Sequence, residues 1–141
     1  MVTRHTFPAI AEALPGARAV TRKACEACGC SAEVTQDMVI AISEACQNIV
    51  RHAYKGAPDG VATLEIRCKD GILEFFLEDS APPVDKEKLK PKWPKELKPG
   101  GLGICLIHDV MDEVEYLPAP SGKGNLLRMA KFIERDKPNE T

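Results

Sequence analysis

The chain has 141 residues, 19 Lys and Arg against 21 Asp and Glu, and a formal net charge of −2, a size that suits one domain with a single sizeable core. Its basic residues are spread out apart from one Lys-rich stretch, which argues against a nucleic-acid footprint. No apolar run approaches the length of a bilayer span, and no charged, apolar and small-residue leader pattern opens the chain. The expectation is a cytoplasmic protein with no membrane segment and no direct nucleic-acid contact, built as one domain over residues 1–135 with a polar tail over 136–141.

The opening VTRHTFPA is too short and polar to be more than an edge strand. A helical stretch from about Ala9 to Cys28 follows, with a bend expected at Pro15-Gly16 and Gly29 closing it. Ser31 reads as the cap of a second, longer helix whose apolar periodicity runs from Val34 to Tyr54, and the turn residues of Gly56 to Gly60 end it. VATLEIRC and GILEFFLED then read as two antiparallel strands around Lys69-Asp70-Gly71, because an Asp-Gly step is a strong hairpin signal. From Asp85 to Gly101 the chain carries six lysines, three prolines and one Trp, Trp93, with little that builds a core. A stretch of this length reads as a long mobile loop or lid over about 85–101. Leu102 to Met111 reads as a short helix with a glycine-rich start, and EVEYLPAPSGKGNLLRMAKFIE as a second hairpin around Pro118 to Gly124. Consecutive hairpins together with helices predict an α+β two-layer α/β sandwich, with a mixed, mostly antiparallel sheet and helices gathered on one face.

Cys46, Cys68 and Cys105 fall inside apolar patterns and read as core, where Cys acts as a small hydrophobe. ACEACGCS is different. Cys25, Cys28 and Cys30 are spaced closely enough for zinc or an iron–sulfur cluster, as in a redox sensor, but no fourth ligand lies nearby. The other reading of these three is a thiol cluster at a helix end.

The stretch SEACQNIVRHAYKG places Glu44, Asn48 and His52 at four-residue steps in an otherwise apolar run. At about 100° per residue they span an arc of about 80°, one stripe of a helix. Met38, Ile42, Ile49 and Ala53 fall on the opposite side, where they can pack, and Ala41 and Ala45 flank the stripe with so little bulk that a ligand could approach. The stripe fits either a solvated polar face or a site.

Three separated stretches together resemble the nucleotide site of the gyrase, histidine-kinase and mismatch-repair ATPase superfamily, the GHKL or Bergerat ATP-binding fold. EACQNIVRHAY is similar to the Glu/Asn helix of the stand-alone anti-sigma-factor serine kinases. LEDSAPPVD, just after a strand, resembles the family's Asp-x-Gly box. GGLGICLIHDVMDEVEY is similar to the Gly-x-Gly box opening the helix after the lid. The resemblance runs from about Glu33 to Ile133.

What the resemblance implies can be assigned residue by residue. Asn48 would offer its side-chain oxygen to Mg2+, a hard cation that takes one or two protein oxygens and the substrate's phosphates. Glu44, one turn earlier, would orient or deprotonate the nucleophile, a Ser or Thr hydroxyl in a kinase or water in an ATPase; its alternative is a surface Glu. His52, a further turn along, reads as structural. Asp79 would accept a hydrogen bond from the adenine amino group. At Ala81 the family usually has Gly, Pro82-Pro83 stiffens the same turn, and Val84 stands where an aromatic is frequent, so the base-binding turn departs from the pattern. Gly100, Gly101, Leu102 and Gly103 would bring backbone N–H groups and the positive end of a helix to the phosphates of ATP. The lysines of the lid would screen phosphate charge or a partner's acidic face, or are simply solvated. The implied function is an ATP-dependent protein serine/threonine kinase, as a homodimer, that binds a sigma factor and phosphorylates an anti-anti-sigma (STAS-type) partner. The alternative is a non-catalytic partner-switch module of the same fold, with a weak or lost ATP site.

Overall fold

Alternation of period two builds the sheet. In β2 (Val61–Lys69) Ala62, Leu64 and Ile66 are buried between more exposed neighbours, and β3 (Ile72–Asp79) repeats the pattern with Leu73, Phe75, Leu77 and Asp79. Successive side chains point to opposite faces, so each strand turns one apolar row inward. Asp70 (φ 53°) and Gly71 (φ 79°) join the two strands, the left-handed pair that a tight hairpin turn needs. The computed structural model describes residues 1–53, 60–79, 101–118 and 124–133, with 52–53 and 101–104 described by backbone alone. Ala81, Pro82, Pro83, Val84, Trp93, Gly100, the rest of the Lys-rich stretch and the tail over 136–141 lie outside the described residues.

β1 (Val2–Pro8) pairs with β2, β5 (Asn125–Phe132) with β3 and β4 (Glu113–Pro118) with β5, in the spatial order β1-β2-β3-β5-β4. Each of these pairings is antiparallel, and β1 takes the expected edge. One inward row runs Thr3, Ile66, Phe75, Met129, Val114; another, at the opposite end, runs Phe7, Ala62, Asp79, Asn125.

The first helix departs from its expected start. Ala11–Ala13 is a 3-10 turn, and α1 (Leu14–Ala27) carries Pro15 in its first turn, so the change of helix type falls just ahead of the proline and α1 is unbroken through Pro15-Gly16. Proline suits a helix's first turn because no partner is needed there for its missing N–H. Gly29 (φ 83°) closes α1: its N–H reaches the Glu26 carbonyl at 3.1 Å, and the Cys30 N–H reaches that of Cys25 at 3.0 Å, the paired bonds of a left-handed helix stop.

α2 (Ala32–Asn48) begins on Ser31, whose Oγ accepts the Val34 N–H at 3.1 Å. Beyond Asn48 the chain does not continue as α-helix to Tyr54 but winds as a π turn over Ile49–Ala53. Its wider i→i+5 bonding takes the His52 backbone out of the four-residue file that holds Glu44 and Asn48. Ala41 and Ala45 are buried in the core rather than open to a ligand, so their small size serves close packing. α3 (Gly101–Val110) lies against α2.

Ala17 and Ala24 of α1, Met38, Ile42 and Cys46 of α2, Ile107 of α3 and the inward rows of the sheet form one core on one face of the sheet. Cys46 and Cys105 are buried, as expected. Cys68 is not a core residue: it is half-buried and joined by a disulfide to Cys28, with Cα atoms 6.3 Å apart. A cross-link over 40 residues restricts the unfolded chain by about 4 kcal/mol in the chain-entropy treatment. Among the described residues no three His, Cys, Asp or Glu are grouped to hold a metal ion, and Cys28 is spent on the disulfide. No helix among them is long and apolar enough to cross a membrane.

On the outer face Arg128 of β5 binds Glu74, Glu113 and Glu115 across three strands at 2.8–3.0 Å. Arg128→Ala is therefore expected to cost about 1–2 kcal/mol, mainly through the carboxylates left facing one another, read as a lowered urea midpoint. His108 buries an Nε2 that has no hydrogen-bond partner among the described residues, and burial lowers its pKa. The native state then binds fewer protons than the unfolded chain below about pH 6.5, so this contribution to stability is full above that value and is lost as pH falls through it. Melting temperature is expected to drop between pH 7.5 and 5.5, and His108→Gln to flatten the drop; an unchanged slope in the variant would show that other groups cause it.

Candidate functional site

The direction of each helix follows from its ties to the sheet. α1 starts beside the Asp79 end, where the Ala9 N–H donates to the Gly60 carbonyl at 2.8 Å, and finishes at the opposite end, where Cys28 is bonded to Cys68. Three residues later α2 sets off back along the same face. Seventeen helical residues span about 25 Å, and the eight residues of β3 about 26 Å. The last turns of α2, bearing Glu44 and Asn48, therefore return to the Asp79 end. α3 runs the other way: just past its last turn the Asp112 N–H donates to the Ala130 carbonyl at 2.8 Å, near the remote end of β5. Its N-terminal residues Gly101, Leu102 and Gly103 thus start from the Asp79 side, against α2.

Three motifs far apart in sequence consequently open on one end of the sheet. Asp79 is the last inward residue of β3 and only 6% exposed. Its Oδ1 accepts the Asn125 Nδ2–H at 2.9 Å, and the two residues are register partners on β3 and β5. Asn125 was not singled out in the sequence. The signal that could have found it is its place as first residue of the last strand, but β3 and β5 are not consecutive, and only the observed register brings the two together.

Glu44 and Asn48 are half-buried on α2, one turn apart. Asn48 supplies an amide carbonyl, a hard oxygen donor that suits Mg2+, and a site using one or two protein oxygens plus phosphates needs no cluster of carboxylates. The donor set fits the ion. At α3 the first backbone N–H groups have no intrahelical acceptor and carry the positive end of the macrodipole, which suits an anionic phosphate. Asp79 supplies an acceptor for an amino group. A base, a phosphate chain and a cation are thus each matched by a different element. Ala81 lies outside the described residues, and of His52 only the backbone in the π turn is described.

Comparison with known proteins gives the family. The histidine kinase-like ATPase domain family matches residues 7–131. The serine-protein kinase RsbW of Bacillus pumilus is 35% identical over 115 residues, covering 74% of this chain and 69% of that protein. That of Halalkalibacterium halodurans is 32% identical over 140 residues, covering 94% and 83%. Among solved structures, the RsbU and RsbW domains of Rv1364c from Mycobacterium tuberculosis share the fold with a TM-score of 0.68 at 18% identity, over 94% of this chain and 32% of that one. The chain belongs to the histidine kinase-like ATPase domain family and, within it, to the RsbW family of serine-protein kinases.

Proposed function

We propose that this chain binds MgATP at the Asp79 end of the sheet and transfers the γ-phosphoryl group to a Ser or Thr hydroxyl of an anti-anti-sigma (STAS-type) protein, alternating with capture of a sigma factor. The observation that carries the reading is the return of α2 to the end of the sheet where Asp79 sits and from which α3 starts, in a chain of this family. Asp79 takes the adenine amino group and Asn125 holds its carboxylate in place. Gly101, Leu102 and Gly103 present backbone N–H groups to the phosphates. Asn48 would hold the Mg2+, which when bound neutralises phosphate charge.

Glu44 then does the proton work. A carboxylate one helical turn from Asn48 reaches the acceptor hydroxyl as it approaches the terminal phosphate, orients it and takes its proton. Phosphoryl transfer asks little covalent chemistry of the protein, so positioning and charge neutralisation account for most of the rate. The partners are the sigma factor and the STAS-type protein, and the same reading has the chain acting as a homodimer in the cytoplasm.

Calorimetric titration with MgATP and phosphotransfer from γ-labelled ATP to the partner test this directly. Asn48→Ala should weaken Mg2+-dependent binding, whereas Glu44→Ala should keep binding and lower the transfer rate by about 10²- to 10⁴-fold. Asn125→Ala should weaken ATP binding by about tenfold, because Asp79 loses a bond to its charged carboxylate. Equal loss of binding in the Glu44 and Asn48 variants would overturn the division of roles. Absence of binding heat in the wild-type chain would instead favour a module that captures partners without nucleotide.

A further inference from the structure

Four cysteines meet at the end of the sheet remote from Asp79. The closure of α1 at Gly29 folds Cys30 back toward Cys25, with the Cys30 N–H on the Cys25 carbonyl at 3.0 Å. Cys28, between them at the helix cap, is bonded to Cys68 of β2. Cys68 in turn sits in the β1 ladder, its N–H on the Met1 carbonyl at 3.1 Å. Cys28, Cys30 and Cys68 are half-buried, while Cys25 is fully buried. None of these groups has a part in nucleotide binding or phosphotransfer as argued above.

Two features set this bond apart from a simple staple. A cross-link for stability alone needs two cysteines, and the half-buried thiol of Cys30, two residues from Cys28, adds a competing partner for exchange. The bond is also half-exposed and joins elements that are separately anchored. α1 keeps its hold on α2 through Ala17, Ala24 and Cys25 in the core and through the Arg18 bond to the Ser43 hydroxyl at 3.3 Å. Opening the bond therefore releases the last turn of α1 from β2 without dismantling the core.

We propose that Cys28–Cys68 is a thiol–disulfide exchange site for low-molecular-weight thiols of the glutathione type, locking the C-terminal end of α1 to β2 when oxidised and freeing it when reduced. In the opening reaction a thiolate attacks one sulfur of the bond. A mixed disulfide forms, and the other cysteine leaves as a thiolate and takes up a proton. A second thiolate attacks the mixed disulfide, freeing the second cysteine and producing the disulfide of the small thiol, so that two electrons pass from two thiols to the protein. Of the neighbouring thiols, burial pushes Cys25 up to about 12, which keeps it protonated and inert at neutral pH. Cys30 is the accessible one.

The test uses the full chain equilibrated in glutathione buffers from fully oxidised to fully reduced, quenched with acid, alkylated and mapped by peptide mass. Cys28 and Cys68 should gain label together in one transition. Amide exchange over residues 23–30 should quicken across the same transition, and the melting temperature should fall by about 10 °C. Cys28→Ser and Cys68→Ser should each show the fast exchange in every buffer. A bond that persists in excess reduced glutathione would mark a fixed staple and overturn the proposal, as would free Cys28 and Cys68 in the fully oxidised buffer. The wild-type titration decides the matter even if a variant does not fold, and it is read without nucleotide.

Discussion

The packing of one side of α2 against the inward rows of the sheet is the constraint on which the rest of the structure depends. Met38, Ile42, Cys46 and Ile49 are 7% exposed or less and share a core with Leu64, Ile66, Phe75 and Met129. Burial of this many apolar side chains, each worth about 1.5–3 kcal/mol against exposure, fixes the rotation of the helix about its axis. The opposite stripe, with the half-buried Glu44 and Asn48, is then held in place at the Asp79 end of the sheet by the same contacts that stabilise the domain. Ala41 and Ala45 belong to this arrangement too, since small residues let neighbouring elements approach.

The two ends of the sheet have different chemistry because the helices run antiparallel along it. At one end Asp79, Asn125 and the start of α3 assemble groups suited to a base and phosphates. At the other, the cap of α1 meets the β1–β2 edge and gathers four sulfurs. α1 spans the whole distance and contacts α2 along it.

Much of this was legible in the sequence because it rests on local rules. The hairpin signal at Asp70-Gly71 marked β2, β3 and their turn, and Ser31 marked the start of α2. The three nucleotide motifs were found by order and spacing, and the family match over residues 7–131 supports that reading. What the residues alone did not reveal is non-local. The Asn125–Asp79 bond depends on β3 and β5 being neighbours. The Cys28–Cys68 bond joins a helix cap to a strand 40 residues on, and apolar patterning around Cys68 gave it the look of a core residue. The π turn after Asn48 escaped detection because its five residues keep the composition of a helix while changing its hydrogen bonding.

Amide hydrogen exchange with and without MgATP tests the convergence of the three motifs most directly. Protection is expected in the segments 44–53, 77–79 and 101–105, at one end of the sheet, with the remote turn around Asp70 and Gly71 unchanged. Protection that spared the start of α3, or that appeared instead at the Asp70–Gly71 end, would contradict the assignment of the nucleotide to the Asp79 end.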